Sequence, residues 1–168
     1  MPVTATGQVA KPLYKLAELV ASSATFRTEV GAASAAAALA FIHYPYADDT
    51  SDSTATKPRC IIGLGQSRDS IKEGTELWVK TGELWLAFEF LVTSGASGDA
   101  EELLQFANKT GAILAEMEAN AGNFPDTSTE SYLDMIGWVE VDGPAKCDSQ
   151  HENDAVYYAH AFTVRYRA

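Results

Sequence analysis

Alternation of apolar and polar positions is clearest in residues 156–167. One set of alternate positions carries large, mostly apolar side chains: Val156, Tyr158, His160, Phe162, Val164 and Tyr166. Successive side chains of a strand point to opposite faces, so this pattern predicts a strand with one face in the core. A similar alternation predicts a second strand at residues 132–141.

Apolar runs predict further strands in the middle of the chain. Residues 59–64 form a short, mostly apolar run. Residues 83–93 are apolar at both sets of alternate positions, which is typical of a central strand that is covered on both sides. Residues 78–80 predict a short strand, which a turn at Thr81 and Gly82 would join to the segment at 83–93. A polar connection is expected after residue 64.

Helical spacing predicts three helices. The first begins at Pro12, which suits the first turn of a helix because its missing N–H would be unpaired there. The second, residues 32–43, is nearly all alanine, the residue with the highest helix propensity. The third, residues 99–119, begins with a capping carboxylate at Asp99. Its apolar residues form one stripe and a second set that widens it, which predicts burial on more than one side. The stripe consists of Ala100, Leu103, Leu104, Ala107, Gly111 and Leu114, and the widening set of Phe106, Ile113 and Met117.

These elements predict a single α+β domain over residues 1–168. We expect a mostly antiparallel sheet, with an N-terminal helical pair and one long helix packed on it. Two polar segments, residues 46–58 and 142–154, are expected to be loops.

The net charge of −11 limits the partners of the chain. Acidic surfaces repel phosphate backbones and anionic lipids, so we expect neither specific nucleic-acid binding nor membrane binding. No segment reaches the roughly 18 apolar residues that span a bilayer. The N-terminal residues also lack the basic and apolar regions of a signal peptide.

Residues that could support catalysis or metal binding do not form a recognisable pattern. Ser67 lacks the second glycine of a nucleophile elbow. Cys147, His151 and His160, with Cys60, could in principle bind zinc, but they lack the closely spaced pairs that zinc sites use. The sequence therefore predicts no catalytic residue, no metal site and no cofactor, and a protein that is not an enzyme.

The order of the elements resembles that of the tail terminator and tail-completion proteins of long-tailed phages. In that family an N-terminal helix precedes a strand hairpin, a long helix crosses the sheet, and two strands follow. The matching segments are residues 13–17 (LYKLA), 19–26 (LVASSATF), the helix at 99–119, and 162–166 (FTVRY).

The resemblance implies a structural virion protein. Its copies would form a homo-oligomeric ring, a hexamer, that caps the tail tube protein and joins it to the head-completion proteins of the neck. DNA would pass through the lumen, and the protein would be found in the virion, after assembly in the host cytoplasm. Three alternatives remain open: another neck, tube or baseplate subunit, a non-virion module that binds small ligands or peptides, and an enzyme with scattered site residues.

A ring of identical acidic subunits needs local contacts between cations and carboxylates. Arg165 and Arg167 lie on the face of the predicted C-terminal strand that is opposite the core, and arginine can hold a carboxylate at two points. Large amphipathic rings are also enriched at interfaces, and Tyr157 and Trp138 are candidates of this kind. We therefore predict that these four residues lie at a subunit interface.

Overall fold

The computed structural model describes residues 7–44, 58–73, 77–92, 99–121, 134–139, 148–152 and 155–167. The α+β class predicted from the sequence is confirmed. The helices are α1 (Gly7–Ser22), α2 (Ala24–Glu29), α3 (Ala35–Ala38), which a 3₁₀ turn (Leu39–Phe41) follows, and α4 (Asp99–Ala121). The strands are β1 (Ile42–His43), β2 (Arg59–Glu73), β3 (Leu77–Val92), β4 (Asp134–Val139), β5 (Asp148–Glu152) and β6 (Ala155–Arg167).

All six strands belong to one sheet with the order β1-β2-β3-β6-β4. The short β1 runs parallel to β2, and the other pairings are antiparallel. One edge of β6 pairs with β3 over residues 156–167. The other edge pairs with β5 at residues 155–159 and with β4 at residues 163–167. β6 is therefore an interior strand with neighbours on both sides.

The register shows which face of the sheet carries the core. Cys60 lies opposite Phe88, and Ile62 lies opposite Leu86; all four are fully buried. Leu86 in turn lies opposite Phe162 of β6, so the predicted core face of the C-terminal strand continues the buried face of β3. Buried residues of α1, α2 and α4 belong to the same cluster, which places these helices over this face.

Four phenylalanine rings connect the helices to the sheet. The rings of Phe88 and Phe90 in β3 are stacked with centroids 5.4 Å apart. Phe26 of α2 lies 6.3 Å from each of them, and Phe106 of α4 lies 6.2 Å from Phe90. Tilted and offset rings at such distances are favourable beyond the area that they bury. The cluster therefore fixes α2 and α4 at one position along β3.

Short α2 is capped at both ends by its own sequence. The Ser23 hydroxyl accepts a hydrogen bond from the Phe26 N–H, which satisfies a free donor of the first turn. At the other end Gly31 has a φ of +67°, and the Ala32 N–H donates to the Arg27 carbonyl at 2.8 Å. This is the Schellman arrangement, in which glycine is favoured because it adopts positive φ without a Cβ penalty.

Side chains of α4 contact both ends of α2. The Glu116 carboxylate accepts hydrogen bonds from the hydroxyls of Ser23 and Thr25 at 2.7 and 2.6 Å. Seven residues earlier, Lys109 donates to the Glu29 carboxylate at 2.7 Å. The two helices are thus antiparallel, and a carboxylate lies at the positive N-terminal end of α2.

The N-terminal helices differ from the prediction in two respects. α1 begins at Gly7, so Pro12 lies inside the helix and not at its first turn. The predicted helix at residues 32–43 is wrong, because only residues 35–38 are α-helical and Ile42 already pairs with Cys60 of β2. The helix propensity of alanine is overridden here by the pairing of Ile42 and His43 with β2, and the alanine run gives no sign of that pairing.

The central hairpin is longer than predicted. β3 is continuous from Leu77 to Val92, so the predicted turn at Thr81 and Gly82 is wrong. Both residues are paired with β2, at Asp69 and Arg68. β2 likewise continues to Glu73, where a polar connection was expected after residue 64.

The predicted loops have different outcomes. The segment at 142–154 was predicted to be a loop, but β5 lies within it and pairs with β6. Polar residues can occupy an edge strand because one side of it remains open. The segment at 46–58 lies outside the described residues, apart from Pro58.

The long helix α4 is confirmed, but its predicted burial is wrong in part. Phe106, Ile113 and Met117 are buried in the core, as expected for the widening set. Leu103 and Leu104, which belong to the predicted main stripe, are 45% and 61% exposed. Ala107 and Gly111 are exposed as well. α4 therefore buries one face, and a second, partly apolar face stays accessible.

Candidate interaction surfaces

Cys60 is a buried thiol in the core face of β2. Burial raises its pKa well above that of a free thiol, and the neighbouring Glu89 carboxylate raises it further. A thiol held protonated in this way is a poor nucleophile and a poor metal ligand. Cys147, the other cysteine, lies outside the described residues.

The other residues considered for chemistry are distributed over the sheet. Ser67 lies in β2 at an irregularity, where the register shifts between Leu64 and Arg68. His151 lies on β5 opposite Val156, and His160 lies on β6 opposite Phe88. Over the residues that the structure describes, no group of three or more histidine, cysteine or acidic side chains could hold a metal ion.

The four predicted interface residues lie on two different faces of the sheet. Trp138 of β4 lies opposite Val164, on the face that carries the core. Arg165 lies one residue further along β6, so it is on the other face, together with Arg167 and Tyr157.

The register also separates these residues along the strand. Tyr157 lies opposite Leu91, near the far end of the β3–β6 ladder, about 26 Å from Arg165 at 3.3 Å per residue. Trp138 and the two arginines lie together near the end of β6. The four predicted interface residues therefore do not form one patch.

Each arginine has a carboxylate of the same chain at a paired position. Arg165 lies opposite Glu83 of β3, and Arg167 lies opposite Asp134 of β4. Opposite charges at directly paired positions stabilise a sheet by roughly 0.2–1 kcal/mol. The register thus offers the two arginines a role in stabilising the sheet of their own chain, which the sequence analysis did not consider.

The sheet face opposite the helices carries a largely buried ion pair. Arg59 donates to the Glu89 carboxylate at 2.6 Å, and the two side chains are only 10% and 16% exposed. Further along the strands, the Trp85 indole lies directly over Gly63, and a Cβ at residue 63 would overlap it. Gly63 is therefore required by the close approach of an aromatic ring from the neighbouring strand.

Exposed apolar and aromatic side chains lie at several places on the helical side of the molecule. Besides Leu103 and Leu104 of α4, they include Leu64 of β2, which is 43% exposed, and the tyrosines at residues 14 and 44. The pKa of Tyr44 is raised by partial burial and by the proximity of Tyr14 and Cys60. Sequence reasoning missed these positions, because their residue types also suit a core.

The described helices include none long and apolar enough to cross a membrane. Comparisons of the sequence with protein-family models and with curated proteins gave no match.

Proposed function

We propose that this chain is a structural virion protein, a tail terminator-like subunit. Its copies form a ring, a hexamer, that caps the tail tube and joins it to the head-completion proteins of the neck. The observation that carries this proposal is the order and packing of the elements. An N-terminal helix precedes the β2–β3 hairpin and α4 packs on the core face. Three strands, β4, β5 and β6, follow α4, one more than the two of the family pattern.

The arrangement of the layers also supports an assembly role. The helices cover one face of a mostly antiparallel sheet, in which β1 alone among the described strands pairs in parallel. The exposed side of α4 remains available to other chains. Exposed apolar side chains such as Leu104 are suited to protein–protein contact, since apolar surface gains free energy when it leaves water.

The chemistry of the described residues fits a structural role better than a catalytic one. The buried thiol of Cys60 has a raised pKa, which disfavours nucleophilic attack. The Glu116 carboxylate, which is partly buried, is engaged in capping α2. Capping of α2 accounts for the hydrogen bonds that this carboxylate accepts from Ser23 and Thr25.

The experiment that tests the proposal combines the isolated protein with tail tubes. The purified chain is added to tubes that lack a terminator, and tube length and tube ends are measured by negative-stain electron microscopy. We expect ring-shaped density on one end of each tube and an arrest of tube growth. Purified head-completion proteins should then bind to capped tubes and not to bare ones.

Three other outcomes would identify the alternatives. Density along the tube walls would indicate a tube subunit, and density at the opposite end would indicate a baseplate subunit. No binding to tubes, with a monomeric chain at all concentrations, would favour a ligand-binding module or an enzyme.

A further inference from the structure

The side of α4 that faces away from the core carries no charge over most of its length. Between Glu101 and Glu118, which are both exposed, the exposed residues are small or apolar apart from Asn108. They are Leu103, Leu104, Ala107, Asn108, Gly111, Ala112 and Ala115, and this set is called the α4 face. Leu104 is 61% exposed. The solvent side of a helix usually carries charged residues, so the α4 face has the composition of a surface that a partner covers.

Gly111 lies on the same side of α4 as Leu104, two turns further along. A glycine in the interior of a helix costs roughly 0.5–1 kcal/mol relative to alanine. A Cβ at residue 111 would meet no atom within 4 Å among the residues that the structure describes. Packing within this part of the chain therefore does not explain the glycine. Its missing side chain leaves room for the close approach of a second chain.

Residues 31–41 form a second uncharged surface. The chain has no charged residue between Glu29 and His43. The exposed side chains of this segment are small, and those that we call the alanine surface are Ala33, Ser34, Ala36, Ala37 and Ala40. Larger side chains of a partner can fit between such small ones. Alanine also loses no side-chain conformational entropy when it is covered.

Helix α1 lies between the two surfaces in each copy. It packs on both α3 and α4, and within residues 12–23 it exposes only Tyr14. α3 leads through the 3₁₀ turn into β1 at one edge of the sheet, whereas α4 contacts β3 through Phe106. Leu104 and Ala37 are both exposed, so the α4 face and the alanine surface do not cover each other. A contact between these surfaces therefore joins two copies of the chain.

Charged residues beside the two surfaces are complementary. Thr25 and Glu29 of α2 contact α4, and at 100° per residue Arg27 lies on the opposite side of α2. The Arg27 carbonyl accepts a hydrogen bond from the Ala32 N–H, so Arg27 adjoins the alanine surface. Neither Arg27 nor Glu101 has an ion-pair partner among the residues that the structure describes. Copies that each carry a charge of −11 need such a local attraction in order to associate.

We propose that the alanine surface of one copy docks on the α4 face of a second copy. Leu104 of the second copy lies among the alanines, and Glu101, one turn before Leu104, pairs with Arg27 of the first copy. The contact joins two different surfaces, so its repetition generates a closed ring or an open filament. The inference rests on the proposed function only in that a ring on a tail tube is its expected product.

Disulfide trapping tests this contact in the intact chain. All variants carry Cys147→Ser, while buried Cys60 is retained. Ala37→Cys places a thiol on the alanine surface, and Asn108→Cys places one on the α4 face, one turn beyond Leu104. The two variants are oxidised separately and as a mixture, and covalent dimers are measured by non-reducing electrophoresis. We expect dimers in the mixture and little dimer from either variant alone.

Two matched controls locate the contact. Ala24→Cys also replaces an exposed alanine, but at the start of α2 and outside the alanine surface. Ala119→Cys replaces an exposed residue of α4 that lies eleven residues beyond Asn108, roughly 16 Å along the helix. Either control, mixed with the complementary variant, should give severalfold less dimer. Equal yields from Ala37→Cys and Ala24→Cys would overturn the proposed docking.

Reversal of the two charges tests the ion pair. Arg27→Glu, added to the Ala37→Cys variant, should lower the yield of mixed dimer severalfold, because two carboxylates then meet across the contact. Glu101→Arg, added to the Asn108→Cys variant, should restore the yield. Circular dichroism checks that every variant is folded. A yield that does not change with Arg27→Glu, or that Glu101→Arg does not restore, would overturn the pairing of these two residues.

The remaining outcomes identify other occupants of the α4 face. Dimers of Asn108→Cys alone would show that two α4 faces meet, which overturns the proposed contact. Cross-links from Asn108→Cys to the tube protein or a neck protein, without the mixed dimer, would assign the α4 face to that protein and would also overturn it.

The same variants separate this inference from the proposed function. Rings or capped tubes without the mixed cross-link would overturn the contact and leave the proposed function standing. Mixed cross-links in a protein that does not bind tail tubes would support the contact and count against a tail terminator. A chain that stays monomeric and uncross-linked, alone and with tubes, would overturn both.

Discussion

The Thr25 hydroxyl at the start of α2 donates a hydrogen bond to the Glu116 carboxylate of α4 at 2.6 Å, across 91 residues of sequence. The same carboxylate accepts from the Thr25 N–H at 3.1 Å and from the Ser23 hydroxyl. A six-residue helix is too short to be stable alone in water. The position of α2, and of Phe26 within the core, therefore depends on this capping by α4.

The first prediction is that Glu116→Gln lowers the free energy of unfolding by about 1 kcal/mol, as is typical for the loss of a capping interaction. Glutamine keeps one oxygen acceptor but loses the charge that favours the N-terminus of α2. Urea unfolding followed by circular dichroism measures the change. Glu118→Gln is the matched control, because Glu118 is exposed on the same helix and should change stability little. Equal effects of the two substitutions would contradict the capping role.

The second prediction concerns the pH dependence of this contribution. Partial burial raises the pKa of Glu116, but hydrogen bonds from Thr25, Ser23 and the Ala24 backbone outweigh it, and the net pKa lies below the usual range. Stability from a carboxyl with a depressed pKa is complete above its unfolded pKa, about 4.3, and is lost as the pH falls through the folded pKa. The difference in unfolding free energy between wild type and Glu116→Gln should therefore shrink on acidification. A difference that is constant from about pH 7 to pH 3 would show that the charge of Glu116 does not contribute.

The third prediction is that Gly63→Ala destabilises the protein by about 1–3 kcal/mol, the usual range for overpacking. The added Cβ would overlap the Trp85 indole, so the ring or the strand must move. In a Trp85→Ala background the same substitution should cost much less, because the overlapping ring is gone. A double-mutant cycle from urea unfolding measures the coupling. Additive effects of the two substitutions would rule out the overlap as the cause.

The fourth prediction is that Phe162→Ala costs about 3–5 kcal/mol of stability, as is common for a large side chain removed from a core. Phe162 lies opposite fully buried Leu86, on the core face of β6. Thr163→Ala is the control, since Thr163 lies on the opposite face, paired with Trp85. A loss below about 1 kcal/mol for Phe162→Ala would contradict its assignment to the core.

The fifth prediction tests the interface role of the arginines. The double change Arg165→Glu with Arg167→Glu should leave the monomer folded by circular dichroism but abolish rings or capped tails. The paired carboxylates Glu83 and Asp134 offer a competing explanation within the chain. In that case the double change destabilises the monomer, and adding Glu83→Arg with Asp134→Arg restores stability. Normal assembly with both arginine charges reversed would remove these residues from the interface.

Elements with a long, regular pattern could be predicted from the sequence. α4 and β6 lie within two residues of their predicted bounds, because periodicity over more than ten residues outweighs local exceptions. The helix predicted at residues 32–43 was wrong because Ile42 and His43 pair with β2, a partner that is distant in sequence. The turn predicted at Thr81 and Gly82 was wrong for a similar reason, because these two residues pair with β2 on one side and with β6 on the other, and both pairings keep them in an extended strand.

Burial was harder to predict than secondary structure. The stripe that contains Leu103 and Leu104 is as apolar as the one that contains Phe106 and Ile113, so composition alone could not identify the covered face. The deciding contacts are Phe106 with Phe90 and Glu116 with Thr25, both between distant segments.

The interior position of β6 has a consequence for how the chain reaches its folded state. β6 follows every other described element in sequence, yet it joins β3 to β4 and β5. As the ribosome releases the chain, the β2–β3 hairpin forms first, and one edge of β3 stays open until residues 155–167 have emerged. An open edge can pair with another chain and cause aggregation. Slow translation between β3 and β6 should therefore lower the yield of soluble protein, and a chaperone that shields strand edges should raise it.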